Sequence, residues 1–198
     1  MADLRIEKGR ATRERLIEVG RRLFGERGYE ATSVEALLEE AGVAKGALYH
    51  HFAGKQQLFD VVLDRTVAEI AARVVEAARG QTDALASLRA GCGAWLELAR
   101  DPEIQRIVIL DPAAAVGWER GRELDDHFLG GVRTSLRRLA DDGRVPLDHV
   151  DALAHMLLAA VNEAALLIAR ADDPEASFVA ARGAVDTLLN RLAGEPRR

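Results

Sequence analysis

Apolar residues recur at spacings of three and four along most of the chain, the signature of helices that bury one face; period-two alternation is nearly absent. The pattern predicts a helix over residues 11–27, with Leu16, Gly20, Leu23 and Phe24 on one side and Gly28 as its stop. A second helix starts after Thr32 or Ser33, either of which can cap free backbone N–H groups, and ends at Ala41-Gly42. A short third helix covers Ala44 to His51, and a long fourth one covers Gln56 to Ala78. Beyond Gly80, helices follow over about 82–100, 101–110, 115–140, 148–171 and 173–192. The expected fold is all-α, with about nine helices: a small three-helix N-terminal unit (1–55) followed by a larger helical body (56–198).

The segment Thr32 to Lys55, TSVEALLEEAGVAKGALYHHFAGK, has the order of a helix-turn-helix: a short helix, a tight glycine turn and a second short helix presented outward. Val34, Leu37 and Leu38 supply a miniature core, Gly42 sits at the reversal and Val43 plugs the junction. Leu48 and Phe52 lie four apart and point back into that core. Lys45, Gly46, Ala47, Tyr49 and His50 are left facing outward. The small Gly46 and Ala47 let the helix approach a major groove closely, while Tyr49, His50 and His51 offer polar tips to phosphates. Lys55, at the start of the next helix, is placed to grip a phosphate together with that helix's N-terminus.

The net charge of −5 argues at first against nucleic acid, but its distribution changes the picture. Residues 1–55 carry a net +1 and residues 56–198 a net −6; positions 41–55 hold two lysines, two histidines and no acid. Charges beyond a Debye length of about 8 Å are largely screened, so a basic surface on an acidic body can still bind phosphates. Arg5, Lys8, Arg10, Arg13 and Arg15 form either an arm reaching DNA or a solvated tail, diluted by Asp3, Glu7 and Glu14. The 48% hydrophobic and 30% charged composition is that of a globular chain. Cys92 is the single cysteine and cannot form an internal disulfide. No signal-peptide core and no uninterrupted membrane-length apolar run is evident, so a cytoplasmic protein without a membrane partner is expected. His127 and His155 lack ligand-spaced partners, and neither metal nor cofactor is expected. No nucleophile elbow, phosphate loop or zinc-protease motif points to an enzyme, and His50 and His51 should diverge by about 100° on a helix.

From Arg13 to Leu58 the chain resembles the DNA-binding domain of TetR-family regulators. The likeness rests on Leu16-Ile17, Leu23-Phe24, Gly28-Tyr29, Thr32-Ser33-Val34, Ala41-Gly42-Val43, Lys45-Gly46-Ala47-Leu48-Tyr49, His51-Phe52, Lys55 and Leu58. Three positions depart from it: Ala44 stands where Ser or Thr would cap the third helix, Leu38 where a small residue is usual, and Gln56 where an acid is common. The resemblance implies a homodimeric regulator, a repressor by the family's usual mode, that binds double-stranded DNA. The implied contact set is Thr32, Ser33, Lys45, Gly46, Ala47, Tyr49, His50, His51 and Lys55, with Thr32, Tyr49, His51 and Lys55 on phosphates.

The body would then dimerise and sense a small, mostly apolar effector. Wide apolar faces on the last two helices suggest a four-helix interface through Leu153, Leu157, Val161, Ala165, Phe178, Val185 and Leu189. An effector pocket is expected around Cys92, Trp95, Ile107, Trp118, Phe128, Met156 and Asn162. Two alternatives stay open: a helical interaction protein, and a DNA-binding regulator that needs no effector.

Overall fold

The structure, a computed structural model, describes residues 2–194; the side chains of residues 2–6 and of Trp118 lie outside the described part. The described residues contain helices and no strand. In chain order these are α1 (Ala2–Arg27), α2 (Val34–Ala41), α3 (Lys45–His51), α4 (Lys55–Ala78), α5 (Ala84–Leu98), α6 (Pro102–Ile104), α7 (Pro112–Ala115), α8 (Trp118–Asp141), α9 (Val150–Ala169) and α10 (Pro174–Leu192). A π-helical turn (Gln105–Leu110) joins α6 to α7, and a 3-10 turn (Leu147–His149) leads into α9. Two boundaries differ from the periodicity. Helix α1 takes in Lys8 and Arg10, placed by the sequence reading before the helix. The helix expected over about 115–140 begins only at Trp118, because Gly117 adopts φ +90° and separates α8 from the short α7 before it.

The chain divides into two compact units, residues 1–66 with 102–121, and residues 67–101 with 122–198. In the first, Leu16, Leu23, Phe24, Leu37, Leu48, Phe52, Leu58 and Phe59 form the buried core. Phe59 meets the edge of Phe24 at 5.2 Å and that of Tyr29 at 5.0 Å. The segment 102–121, which the sequence numbers into the body, packs here against α1. The Arg21 guanidinium donates to Glu103 at 2.8 Å, and the Asp111 carboxylate accepts the Tyr29 N–H at 2.7 Å. Arg120 pairs with Asp60 at 2.8 Å and also with Asp64. These contacts span 56 to 82 positions, so no local pattern announces them.

In the second unit, α9 packs against α10 and α5, and α10 against α5. Asp83 and Asp173 cap α5 and α10, accepting N–H groups three residues on. The span Leu147–Arg170 has a mean hydropathy of 1.8, long and apolar enough by composition to cross a membrane. Asn162 and Glu163 interrupt the run, so apolar length alone does not single it out in the sequence. Its apolarity has a structural use: Val150, Ala154, Leu157, Leu158, Val161, Ala165 and Ile168 are buried within the protein.

Candidate functional site

The helix-turn-helix is built by local chemistry. Gly28 takes φ +83° after α1, and the Thr32 hydroxyl donates to the Gly28 carbonyl at 2.7 Å and the Leu23 carbonyl at 3.2 Å. Ser33 caps α2, its Oγ accepting the Ala36 N–H at 3.1 Å. Gly42, at φ 63° and ψ 38°, ends α2. Its N–H reaches the Glu39 carbonyl, and that of Val43 reaches back to Leu38, a pairing of the last free carbonyls that needs a left-handed residue. Ala44 then starts α3 in extended geometry with no side-chain cap. Replacing it with serine should satisfy one open N–H, contributing about 1 kcal/mol and raising Tm by about 2–4 °C for a chain of this size, as calorimetry would show.

Leu48 and Phe52 are buried and brace α3 from behind, each contributing roughly 1.5–3 kcal/mol. On the opposite side Lys45, Gly46, Tyr49 and His50 are exposed, Tyr49 by 49%. The Lys45 ammonium lies 6.0 Å from the Tyr49 ring centre. A β-carbon added at Gly46 would meet nothing within 4 Å, so the protein's own packing does not require glycine there. Ala47 and His51 are half-buried. The His50 and His51 rings meet edge to face at 4.9 Å, closer than their angular separation on a helix implied. Burial, then His50 and Arg13, lower the His51 pKa below its ordinary value.

Two members of the expected contact set sit differently from expectation. Thr32 is fully buried, its hydroxyl committed to the end of α1, so its side chain offers nothing to a phosphate. The Lys55 ammonium donates to the Tyr29 carbonyl at 2.8 Å and lies 4.1 Å from that ring's centre, which ties the start of α4 to the α1–α2 loop. Lysine carries three N–H donors, so this bond leaves others to reach outward. Arg13, from the proposed arm, stacks on Phe52 at 5.3 Å as part of α1; the Arg5 side chain is outside the described residues.

The second unit holds a cavity of about 110 Å³. Cys92, Trp95, Phe128 and Asn162, all expected there, line it, together with Leu157 and Val161. The latter two were expected at a dimer face. Ile107 belongs to the first unit, and Met156 is 67% exposed; neither lines the cavity. Trp118 lies outside the described side chains. The Trp95 and Phe128 rings lie 6.4 Å apart. Asn162 donates to Asp125 at 3.1 Å; burial pushes that carboxyl's pKa up, with Asn162 opposing. Burial, reinforced by Asp186, pushes the Cys92 thiol up to about 12. Only the thiolate is nucleophilic, so a three-unit rise should slow alkylation by iodoacetamide at pH 8 about 10³-fold relative to the unfolded chain. Mass spectrometry of native and denatured samples would measure the ratio.

The expected dimer residues need a similar correction. Leu157, Val161, Ala165, Phe178, Val185 and Leu189 are all buried inside the protomer, and Leu153 is half-buried. The apolar side chains left exposed on these helices are Met156, Leu167, Val179 and Leu188. Helical periodicity finds apolar faces; on helices apolar nearly all round it does not say which face turns inward. Among the described residues, no group of three or more His, Cys, Asp or Glu side chains is arranged to hold a metal.

Comparison with known proteins bears on both units. Residues 16–62 match the family model for bacterial regulatory proteins of the tetR family, and residues 85–192 match that of the tetracyclin repressor-like C-terminal domain. The transcriptional repressor AcnR of Corynebacterium diphtheriae is 34% identical over 69% of this chain and 71% of its own. A TetR-family transcriptional regulator from Pectobacterium atrosepticum superposes with a TM-score of 0.84 at 33% identity, covering 96% of this chain and 98% of the other. The regulator FadR of Bacillus subtilis, solved with stearoyl-CoA, shares the fold at a TM-score of 0.74 and 20% identity, covering 89% of this chain and 96% of its own. The chain therefore belongs to the TetR family of helix-turn-helix transcriptional regulators.

Proposed function

We propose that this regulator is a homodimeric repressor whose two α3 helices enter successive major grooves of a palindromic operator, and that a small effector in the cavity releases it. On this reading residues 1–55 read DNA, and residues 56–198 sense the effector and dimerise. The observation that carries it is the outer surface of α3, where Lys45, Gly46, Tyr49 and His50 stand exposed over a helix braced by Leu48 and Phe52. Ser33, Ala47, His51 and Lys55 flank that surface as contacts to backbone phosphates or groove walls. The Thr32 side chain is dropped from the set.

Repression is favoured by the similarity to AcnR, which is itself named a repressor. Dimerisation is assigned to the exposed apolar residues of α9 and α10. Two-fold symmetry would present the recognition helices about 34–36 Å apart or somewhat more, one helical turn of DNA. The mostly apolar cavity supports an effector-responsive regulator over one that needs no ligand. An effector that binds one conformer better than the other lowers DNA affinity by the same coupling with which DNA lowers its own. The site of action is the cytoplasm, where a bacterial operator lies.

A mobility-shift assay with the DNA flanking the protein's own gene tests the reading. A specific complex is expected, weakening by about 10³–10⁵ between 50 and 200 mM salt if six to ten phosphates are contacted. Absence of a complex, or one indifferent to salt, would sink the proposal.

A further inference from the structure

The cavity says more about its occupant than that it is small. Trp95 lines it, and the Trp95 indole Nε1 is closed to solvent with no hydrogen-bond acceptor among the described residues. A buried donor without a partner costs on the order of 1–3 kcal/mol, and native proteins keep few of them. Water does not relieve this one, because the atom is sealed. An acceptor has to arrive with something that parts the side chains around it.

Of the other polar groups on the wall, His127 is exposed and Ser135 also lines the cavity, and the remaining three are occupied or uncharged. Asn162 is engaged by Asp125, and the Ser87 hydroxyl donates to the Ala78 carbonyl at 3.4 Å. The Cys92 thiol stays protonated at neutral pH. No lysine or arginine lines the cavity, whereas two carboxylates act on its walls: Asp125 through Asn162, and Asp186 through its field at Cys92. An anion entering here would lose its water without gaining a lysine or arginine, His127 being the one imidazole on the wall, and an unpaired buried charge costs several kcal/mol. Most of the lining is apolar, including Leu88, Phe128, Leu157 and Val161. A volume near 110 Å³ approaches the roughly 150 Å³ that houses a benzene molecule, leaving a short substituent for the mouth.

We infer that the cavity takes a small neutral molecule, aromatic or similarly compact, whose single carbonyl-type oxygen accepts the Trp95 indole N–H. This rests on the reading of the cavity as the effector site. It adds that the effector is uncharged and that one hydrogen bond sets its orientation.

Three probes with the same heavy-atom outline separate the possibilities: acetophenone carries the oxygen, α-methylstyrene replaces it with a methylene, and benzoate replaces the ketone's methyl with a second oxygen and is anionic. Binding to the full-length dimer is followed by calorimetry and by the indole ¹H–¹⁵N resonances. There are two tryptophans, so the Trp95 signal is the one that Trp95→Phe removes. Acetophenone should bind about tenfold tighter than α-methylstyrene and benzoate, and should move the Trp95 indole signal downfield. In Trp95→Phe that preference over α-methylstyrene should vanish through a tenfold loss for the ketone alone; the melting curve of the variant reports that it folds. Equal binding of ketone and alkene to the wild type, or a preference that survives Trp95→Phe, overturns the inference while leaving the cavity a ligand site. Tighter binding of benzoate overturns the neutral ligand. Failure of all three to bind removes the inference and, with it, the cavity as a site for molecules of this size.

Discussion

Gly46→Glu in α3 is expected to abolish operator binding, by more than 100-fold, in a protein that melts at the same temperature as the wild type or slightly above it. The two effects have separate causes. A β-carbon at position 46 meets nothing within 4 Å and Gly46 is exposed, so a side chain can leave it toward solvent without displacing packing. Glycine is about 1 kcal/mol worse than ordinary residues within a helix, so the variant gains what α3 loses at present. On the DNA side, the absent side chain is what allows close approach, and a carboxylate there would face phosphate oxygens at short range. Fluorescence anisotropy with the operator and a thermal melt measure the two together. Affinity within twofold of the wild type would mean that α3 does not face the groove.

The second large effect concerns assembly. Met156→Glu combined with Val179→Glu should convert a dimer of 21.5 kDa chains into monomers at micromolar concentration, with unchanged circular dichroism. Met156 and Val179 are 67% and 63% exposed, on helices that pack against each other, and Leu167 and Leu188 are exposed apolar side chains of the same two helices. The same helices also expose small residues, namely Ala152 and Ala159 on α9 and Ala180, Gly183 and Ala184 on α10, which would let a second pair of helices come close. In a two-fold interface each substituted residue recurs in the partner, so the double variant buries four carboxylates. At several kcal/mol for each unpaired buried charge, the dimer constant should weaken by at least about 10³. Sedimentation velocity checks the mass, and operator affinity should fall with it, since one half-site holds far less well than two. A wild-type protein that sediments as a monomer, or a double variant that stays dimeric, refutes the assignment.

What could be read in advance, and what could not, follows from the range of the interactions. The turn at Gly42, the cap at Ser33, the missing cap at Ala44 and the inward pair Leu48 and Phe52 all depend on neighbours within five positions, and sequence spacing carries that information. Thr32 joins the expected phosphate contacts through the family resemblance alone, and only the three-dimensional course of the α1–α2 loop shows its hydroxyl turned inside, onto the end of α1. The dimer residues misled for another reason. Val161 and Leu157 on one side of α9, and Met156 and Leu167 on the other, are equally apolar, and the side that packs internally is chosen by α5 and α10. Ile107 is expected at the pocket because it lies among the fourth to eighth helices of the sequence, but its segment belongs to the other unit. The orphaned Trp95 donor has no sequence signal at all, since it is defined by an acceptor that is not there.

That crossing segment bears on how separable the halves of this regulator are. The backbone passes from one unit to the other at 66–67, returns at 101–102 and leaves again at 121–122. Glu103, Asp111 and Arg120 come back to tie down Arg21, Tyr29 and Asp60. A fragment cut after residue 66 would therefore bare the flank of α1 and strip the Tyr29 amide of its carboxylate. The DNA-reading half is not a cassette to be excised or grafted at its first boundary; the portable piece must carry residues 102–121 along with it.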